Sequence, residues 1–328
     1  MTRMTLLQAL NAAMAHEMER DRDVVVLGED VGTAGGIFRV TQGLQLRFGP
    51  ERVIDTPLDE KGIAGHAVGM ALYGMKPIAE IQFSGFIHDA FEQIMFCGAK
   101  YRWLTGGQYT VPMVIRAPSY GGIRGGFWHS QSIETYYAHG GGVKIVSPST
   151  PRDAYGLMLT AIRDPDPVLV AEPVPLYRTL SDDIEDDGEA VPLGVASIVR
   201  PGSDLTLITY GPLVHAAKGV ADALAETRGY DIELIDLRTL VPYDVDTLVS
   251  SAQKTGRVVV LQEAPYTLGF GSELVAAIQE KAFDCLRAPI TRVAGHDLPY
   301  PYSKGDEYYR PSDARIRAAI IRTMEFEF

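Results

Sequence analysis

Apolar runs of about five residues alternate along nearly the whole chain with longer stretches whose apolar positions recur at a helical period, the pattern of an α/β protein with a mainly parallel sheet. At about 150 residues per domain, 328 residues make roughly two such domains. In the first half, Leu6, Leu7, Leu10, Met14 and Met18 form one helical stripe with Thr5 as its cap. Strands are expected at 24–27, 52–55, 77–82, 112–116, 143–146 and 168–171, and helices at 60–73, 89–104 and 151–163. Residues 181–189 read SDDIEDDGE, six acids without a base, which is half of the net charge of −12. Such a run predicts a solvated loop and a domain boundary. The alternation then restarts, with strands at 205–209, 232–236 and 258–262 and helices at 214–227, 245–254 and 272–283. The expected division is a first domain over 1–180, an acidic linker over 181–192 and a second domain over 193–328.

Hydrophobic residues at 46% and charged residues at 22% exclude a disordered, collagenous or disulfide-scaffolded chain. The acidic balance argues against a nucleic-acid partner. Cys97 and Cys285 form no CxxC, so neither a zinc site nor a disulfide framework is indicated. The amphipathic opening lacks the apolar core of a signal peptide, and no apolar run reaches the ~18 residues of a membrane span. The chain is expected to be soluble and cytoplasmic, with no membrane partner.

In parallel sheets ligands sit beyond the carboxyl ends of strands. Three expected strand ends are polar: Glu29 after 24–27, Asp55 to Glu60 after 52–55, and Gln82. For any single acid here, a helix cap or solvated turn is the alternative. Glu60 opens a helix of small and apolar residues, so its carboxyl is expected in dry surroundings, where it can hold or donate a proton near neutrality. The loop 119–134, SYGGIRGGFWHSQSIE, carries four glycines and His129. Its spacing is neither GxGxxG nor GxxxxGK[ST]. A mobile loop presenting a proton-handling histidine fits better, with a structural histidine as the competitor. His139 precedes three glycines, but no GxSxG elbow accompanies it. His88 and Glu92 are spaced to share a helix face as a surface pair. Asp164 and Asp166 suit a proline-bounded turn or a bound cation.

Longer strings carry a resemblance. LGEDVG (27–32), GGIFRVTQGL (35–44), RVIDTPLDEKGIAGHAVGMAL (52–72), AEIQFSGFI (79–87), HSQSIE (129–134), VSPSTPRDAYGLM (146–158), IRDPDPV (162–168), LIDLRTLVPYD (234–244) and LPYP (298–301) resemble the beta subunit of thiamine-diphosphate-dependent 2-oxo acid dehydrogenases. The wording is closer to the branched-chain than to the pyruvate type. The resemblance implies a transketolase-type pyrimidine-binding domain, a mainly parallel sheet with helices on both faces, followed by a transketolase C-terminal domain. It implies an alpha subunit in an α2β2 heterotetramer, a small 2-oxo acid substrate, and the lipoyl and subunit-binding domains of a dihydrolipoyl acyltransferase core as partners. The GDG motif, followed downstream by Asn, that holds the diphosphate and Mg2+ is absent; the nearest string is Gly305-Asp306-Glu307. The alpha subunit would therefore hold those groups, and this chain would be active only with it.

By resemblance Glu60, within the stretch DTPLDE that also contains Leu58 and Asp59, activates the aminopyrimidine of thiamine diphosphate. Leu58, Asp59 and Gln82 line that site, Phe86 stacks on the ring and Glu29 lies at its edge. His129 handles protons during decarboxylation and acyl transfer to lipoyl-lysine. Ala161, Asp164 and Asp166 match a structural potassium site. Lys61 and the segment Ile87-His88-Asp89 depart from the family wording. The alternatives are the C-terminal half of a split transketolase and a non-catalytic docking scaffold.

Overall fold

The structure, a computed structural model, describes residues 1–327. It divides into two compact units, Met1–Ile123 with Trp128–Leu193, and Arg124–Phe127 with Gly194–Phe328. The first unit contains β1 (Thr2–Thr5), α1 (Leu6–Arg20), β2 (Val24–Gly28), α2 (Leu44–Phe48), β3 (Val53–Asp55), α3 (Glu60–Leu72) and β4 (Lys76–Glu80). It continues through α4 (Tyr101–Leu104), β5 (Val114–Ser119), α5 (Glu134–Gly140), β6 (Lys144–Val146), α6 (Pro151–Arg163), β7 (Val168–Pro173) and β8 (Ser181–Ile184). Six of its strands form a parallel sheet in the order β6-β7-β5-β4-β2-β3.

The local reasons for these elements are explicit in the sequence. Thr5 caps α1 in a reciprocal capping box with Gln8. The stripe of Leu6, Leu7, Leu10, Met14 and Met18 is buried, and α1 packs on α6. α6 starts where expected, with Thr150 accepting from the Asp153 amide and Pro151 in the first turn. β2 is buried along its whole length, as a strand covered on both faces must be.

Two expectations over the first half need correction. The segment expected as one helix over 89–104 is a 3-10 turn at Phe86–His88, a π-helix at Gln93–Gly98 and the short α4. The acidic run is not wholly a loop, because β8 pairs antiparallel with β1, joining Ser181 to Thr5 and Ile184 to Thr2. Asp186 is also tied back, accepting from Tyr155 Oη (2.6 Å) and pairing with His16 Nδ1 (2.9 Å). Partners contributed by α1 and α6 give these acids a fixed place.

The second unit contains β9 (Ser197–Arg200), β10 (Leu205–Thr209), α7 (Leu213–Arg228), β11 (Ile232–Asp236), β12 (Thr239–Val241) and α8 (Val245–Thr255). It ends with β13 (Val258–Pro265), α9 (Gly271–Ala282), β14 (Thr291–Gly295), α10 (Gly305–Tyr309) and α11 (Asp313–Met324). Its five-stranded sheet runs β14-β13-β10-β11-β9, parallel except for β9. α7 and α11 pack Val214, Ala217, Leu224, Ile316 and Ile320 against Leu207, Leu234, Val259 and Val293 of the strands. Asp306, in the string nearest to the diphosphate motif, is fully buried and accepts from Tyr300 Oη (2.8 Å), Arg310 Nε (2.7 Å) and the Arg124 amide (3.0 Å). Among the described residues, no helix is long and apolar enough to cross a membrane.

Candidate active site

The register of the first sheet aligns three carboxyl ends. Gly28 of β2 stands opposite Asp55 of β3 on one side and Glu80 of β4 on the other. Residues that follow these positions therefore leave the sheet along one edge, where parallel sheets bind ligands. Gly28 is required by space: a Cβ there would lie 2.8 Å from the Glu80 carbonyl oxygen. Asp30, with φ of 59°, turns the chain after β2, and Tyr120, with φ of 73°, does the same after β5. Left-handed backbone at a buried tyrosine is held only where its surroundings over-determine it, which is characteristic of binding sites.

Glu60 is the first residue of α3 and is half-buried, not dry, because Leu58, Asp59 and Lys61 around it face solvent in the single chain. Asp59 caps the helix, accepting from the Gly62 amide at 2.9 Å, so it orients Glu60 through the backbone. Lys61 turns away to Glu92 (2.9 Å). Its position in the sequence beside Glu60 thus brings no cation to the site. Glu29 lies close enough to Glu60 for their charges to interact. Burial first, then Asp30 and Glu60, push the Glu29 carboxyl above its usual range. Gln82 is part-buried, with Nε2 3.5 Å from the Glu29 carbonyl oxygen. Leu58 is 72% exposed and closes nothing within this chain.

His129 is seated in aromatic surroundings. Its ring meets Phe83 edge-on at 4.3 Å and Phe86 at 5.4 Å, and Phe86 stacks on Trp128 at 5.9 Å. The segment is anchored by Ser84, whose Oγ accepts from the Gln131 amide at 3.0 Å, and by Tyr120, whose amide donates to the Gln131 carbonyl at 3.1 Å. The strand-end segment after β4 and the histidine segment are therefore one assembly. Phe83, Ser84 and Trp128 had not been singled out from sequence. Phe83 and Ser84 sit between Gln82 and Phe86, and that place just after a strand was the available signal.

Beneath this edge lies a charged group that sequence reading also missed. Arg116, wholly buried in β5, donates to Glu172 of β7 through Nε (2.7 Å) and Nη2 (2.9 Å), and to Glu80 of β4 through Nη1. Tyr177 donates to the same Glu172. Two acids share one base, and burial raises the Glu80 carboxyl, with Glu172 adding to the effect and Arg116 opposing it. The available signal was one charge within each of three otherwise apolar runs, AEI, VIRA and VAEP.

The carboxylates of the expected potassium site are held by side-chain cations. Lys144 Nζ lies 2.6 and 2.8 Å from the two Asp164 oxygens and 3.5 Å from Asp166, whose other oxygen accepts from Arg102 Nε at 2.6 Å. Both carboxylates of the expected set Ala161, Asp164 and Asp166 are thus matched by side-chain cations. Among the described residues no group of three or more His, Cys, Asp or Glu side chains could hold a metal. The expected pair of His88 and Glu92 is also absent. His88 packs edge-on against Tyr136 at 4.8 Å, and Glu92 takes Lys61, because the turn at 86–88 is not continuous with the helix that follows.

Comparison with known proteins agrees with this architecture. Residues 2–179 match the transketolase pyrimidine-binding domain family, and residues 194–316 match the transketolase C-terminal domain family. The chain is 45% identical to a 2-oxoisovalerate dehydrogenase subunit beta of Pseudomonas aeruginosa, covering 99% of this chain and 96% of that protein. It is 43% and 42% identical to pyruvate dehydrogenase E1 component subunits beta of Staphylococcus epidermidis and Bacillus subtilis, covering 99% of this chain and all of each relative. A solved split-gene transketolase, an inactive beta4 tetramer, superimposes with a TM-score of 0.80 over 98% of each chain at 20% identity, a likeness of fold. The strand-end carboxyls, the histidine assembly and these full-length matches lead to one conclusion: the chain belongs to the beta subunits of thiamine-diphosphate-dependent 2-oxo acid dehydrogenases, oxidoreductases built from a transketolase-type pyrimidine-binding domain and a transketolase C-terminal domain.

Proposed function

We propose that this chain works with an alpha subunit, in an α2β2 heterotetramer, to decarboxylate a 2-oxo acid oxidatively and pass the acyl group to a lipoyl-lysine domain. The observation that carries the reading is the gathering of Glu29, Glu60 and Gln82 at one sheet edge whose β4 segment also seats His129. A branched-chain 2-oxo acid is the favoured substrate, with pyruvate next, in keeping with the 2-oxoisovalerate relative at 45% identity.

The residues present fit the pyrimidine end of thiamine diphosphate. The edge offers a pair of interacting carboxyls, an amide side chain and an aromatic face, and it opens to solvent at Leu58 and Asp59. When bound, thiamine diphosphate supplies the electron sink for the carbanion that decarboxylation leaves. Glu60 would hydrogen-bond a ring nitrogen of the cofactor through its carboxyl, and contact with a second subunit would dry it. Glu29 stands beside it, its own carboxyl pushed up by burial and then by Asp30 and Glu60. His129 moves a proton on its imidazole, and Phe83, Phe86 and Trp128 orient it and exclude water. Mg2+ and the diphosphate fall to the alpha subunit. Exposed Phe96 (64%) and Trp103 (86%) beyond β4 supply apolar surface suited to a partner subunit.

The test is reconstitution with an alpha subunit, a lipoylated domain and pyruvate, 2-oxoisovalerate or 2-oxobutyrate. E60Q should lower kcat by about 10²–10⁴-fold with substrate KM little changed. Unchanged turnover would support a docking scaffold instead. Transfer from sugar phosphates without lipoyl domain would support a split transketolase.

A further inference from the structure

We propose that a cavity beside α11 in the second unit is a binding site for a small phosphate-bearing anion. The cavity, about 230 Å³, is lined by Arg292, Val293, Arg315, Ala318, Ala319 and Arg322. Arg315 and Arg322 stand seven residues apart on α11, so they share a helix face, and the two alanines between them leave room over that face. Arg292 comes from β14. It is braced by Nη1 donating to the Tyr266 carbonyl (2.9 Å) and Ser272 Oγ (2.6 Å), with its guanidinium 3.9 Å over the Tyr266 ring. Arg315 donates from Nη2 to the Ala294 carbonyl (2.5 Å), while its Nη1 is buried with no hydrogen-bond partner.

The chain carries 42 acids against 30 lysines and arginines, yet among the described residues none of these three arginines forms an ion pair. Arg292 has the Asp297 carboxylate within electrostatic range, but Arg315 keeps a buried charged donor without an acceptor, which is costly. An oxyanion seated among the three guanidiniums would supply that acceptor. A phosphate group suits the site better than a single carboxylate, since its several oxygens can accept from more than one planar guanidinium at once. Val293, Ala318 and Ala319 provide an apolar wall for the organic part of an ester. None of these residues belongs to the candidate active site, so the two proposals stand or fall separately.

The experiment is calorimetric titration of the full chain with inorganic phosphate and with pyrophosphate, at ionic strength held constant with sodium chloride. Saturable binding is expected in the millimolar range or tighter. R322Q, at an exposed position, and R315Q should each weaken it roughly tenfold or more, the worth of a charge-assisted hydrogen bond. R22Q, an exposed arginine of the first unit, should leave it unchanged, and thermal melting checks that each variant is folded. The proposal is overturned by three results. One is no saturable binding of either anion up to about 10 mM. Another is equal weakening by R22Q, which would mark a long-range charge effect. The third is binding of a polyglutamate peptide without binding of free phosphate.

Discussion

A Cβ at position 85 would sit 2.2 Å from the Trp128 carbonyl oxygen, so only glycine lets the segment after β4 pass beneath the one that carries His129. G85A should displace His129 from Phe83 and Phe86 and destabilise the chain by about 1–3 kcal/mol, read by urea unfolding. Its kcat in the reconstituted enzyme should fall more than that of a surface variant of equal stability. Arg116 sets a second test. Removing its charge leaves Glu80 and Glu172 buried without a base, so R116M should cost about 3–5 kcal/mol in the same assay. Glu29 bears on pH. Its carboxyl titrates above the usual value in the folded chain, so the folded state binds the extra proton. The stability this group contributes is full below the ordinary carboxyl range and is lost as pH rises through the raised value. E29Q should therefore melt about 1–3 °C above wild type at neutral pH, and the difference should vanish near pH 4.

At the scale of elements, the helix start at Asp59 and Glu60 links local structure to chemistry. D59A removes the cap and should cost about 1 kcal/mol, while D59N, an equally good cap, should restore stability. If Asp59 acts by holding the first turn of α3, the thiamine diphosphate KM of the reconstituted enzyme should follow the same order. The elements most legible in sequence were those with strong caps and a single period, α1 and α6, whose starts at Thr5 and Thr150 agree with expectation. β1 and β8 were missed because short strands of mixed polarity carry no apolar alternation until they find each other. The 89–104 stretch kept a helical composition, but its backbone is broken between a 3-10 turn, a π-helix and α4.

For the whole molecule, each unit has its own sheet and its own apolar core. On the proposed function, the first supplies only the pyrimidine end of a thiamine diphosphate site. The purified chain should bind thiamine diphosphate weakly in calorimetry, and co-expression with an alpha subunit should give tight, Mg2+-dependent binding. Tight binding by the single chain would refute this division of the site.

Periodicity, caps and the polar residues that close apolar runs were enough, by themselves, to determine a parallel α/β architecture and to mark Glu29, Glu60 and Gln82, since each depends on neighbours within a few residues. The glycine-rich loop marked His129, and the family strings gave it a role. Tertiary structure alone decided that Lys61 is drawn off to Glu92, that Lys144 and Arg102 neutralise Asp164 and Asp166, and that Arg116 binds Glu80 and Glu172. These pairings join charges 20 to 64 residues apart. Electrostatic partners are chosen by distance in space and by loss of water, and neither quantity is written in the order of residues along the chain.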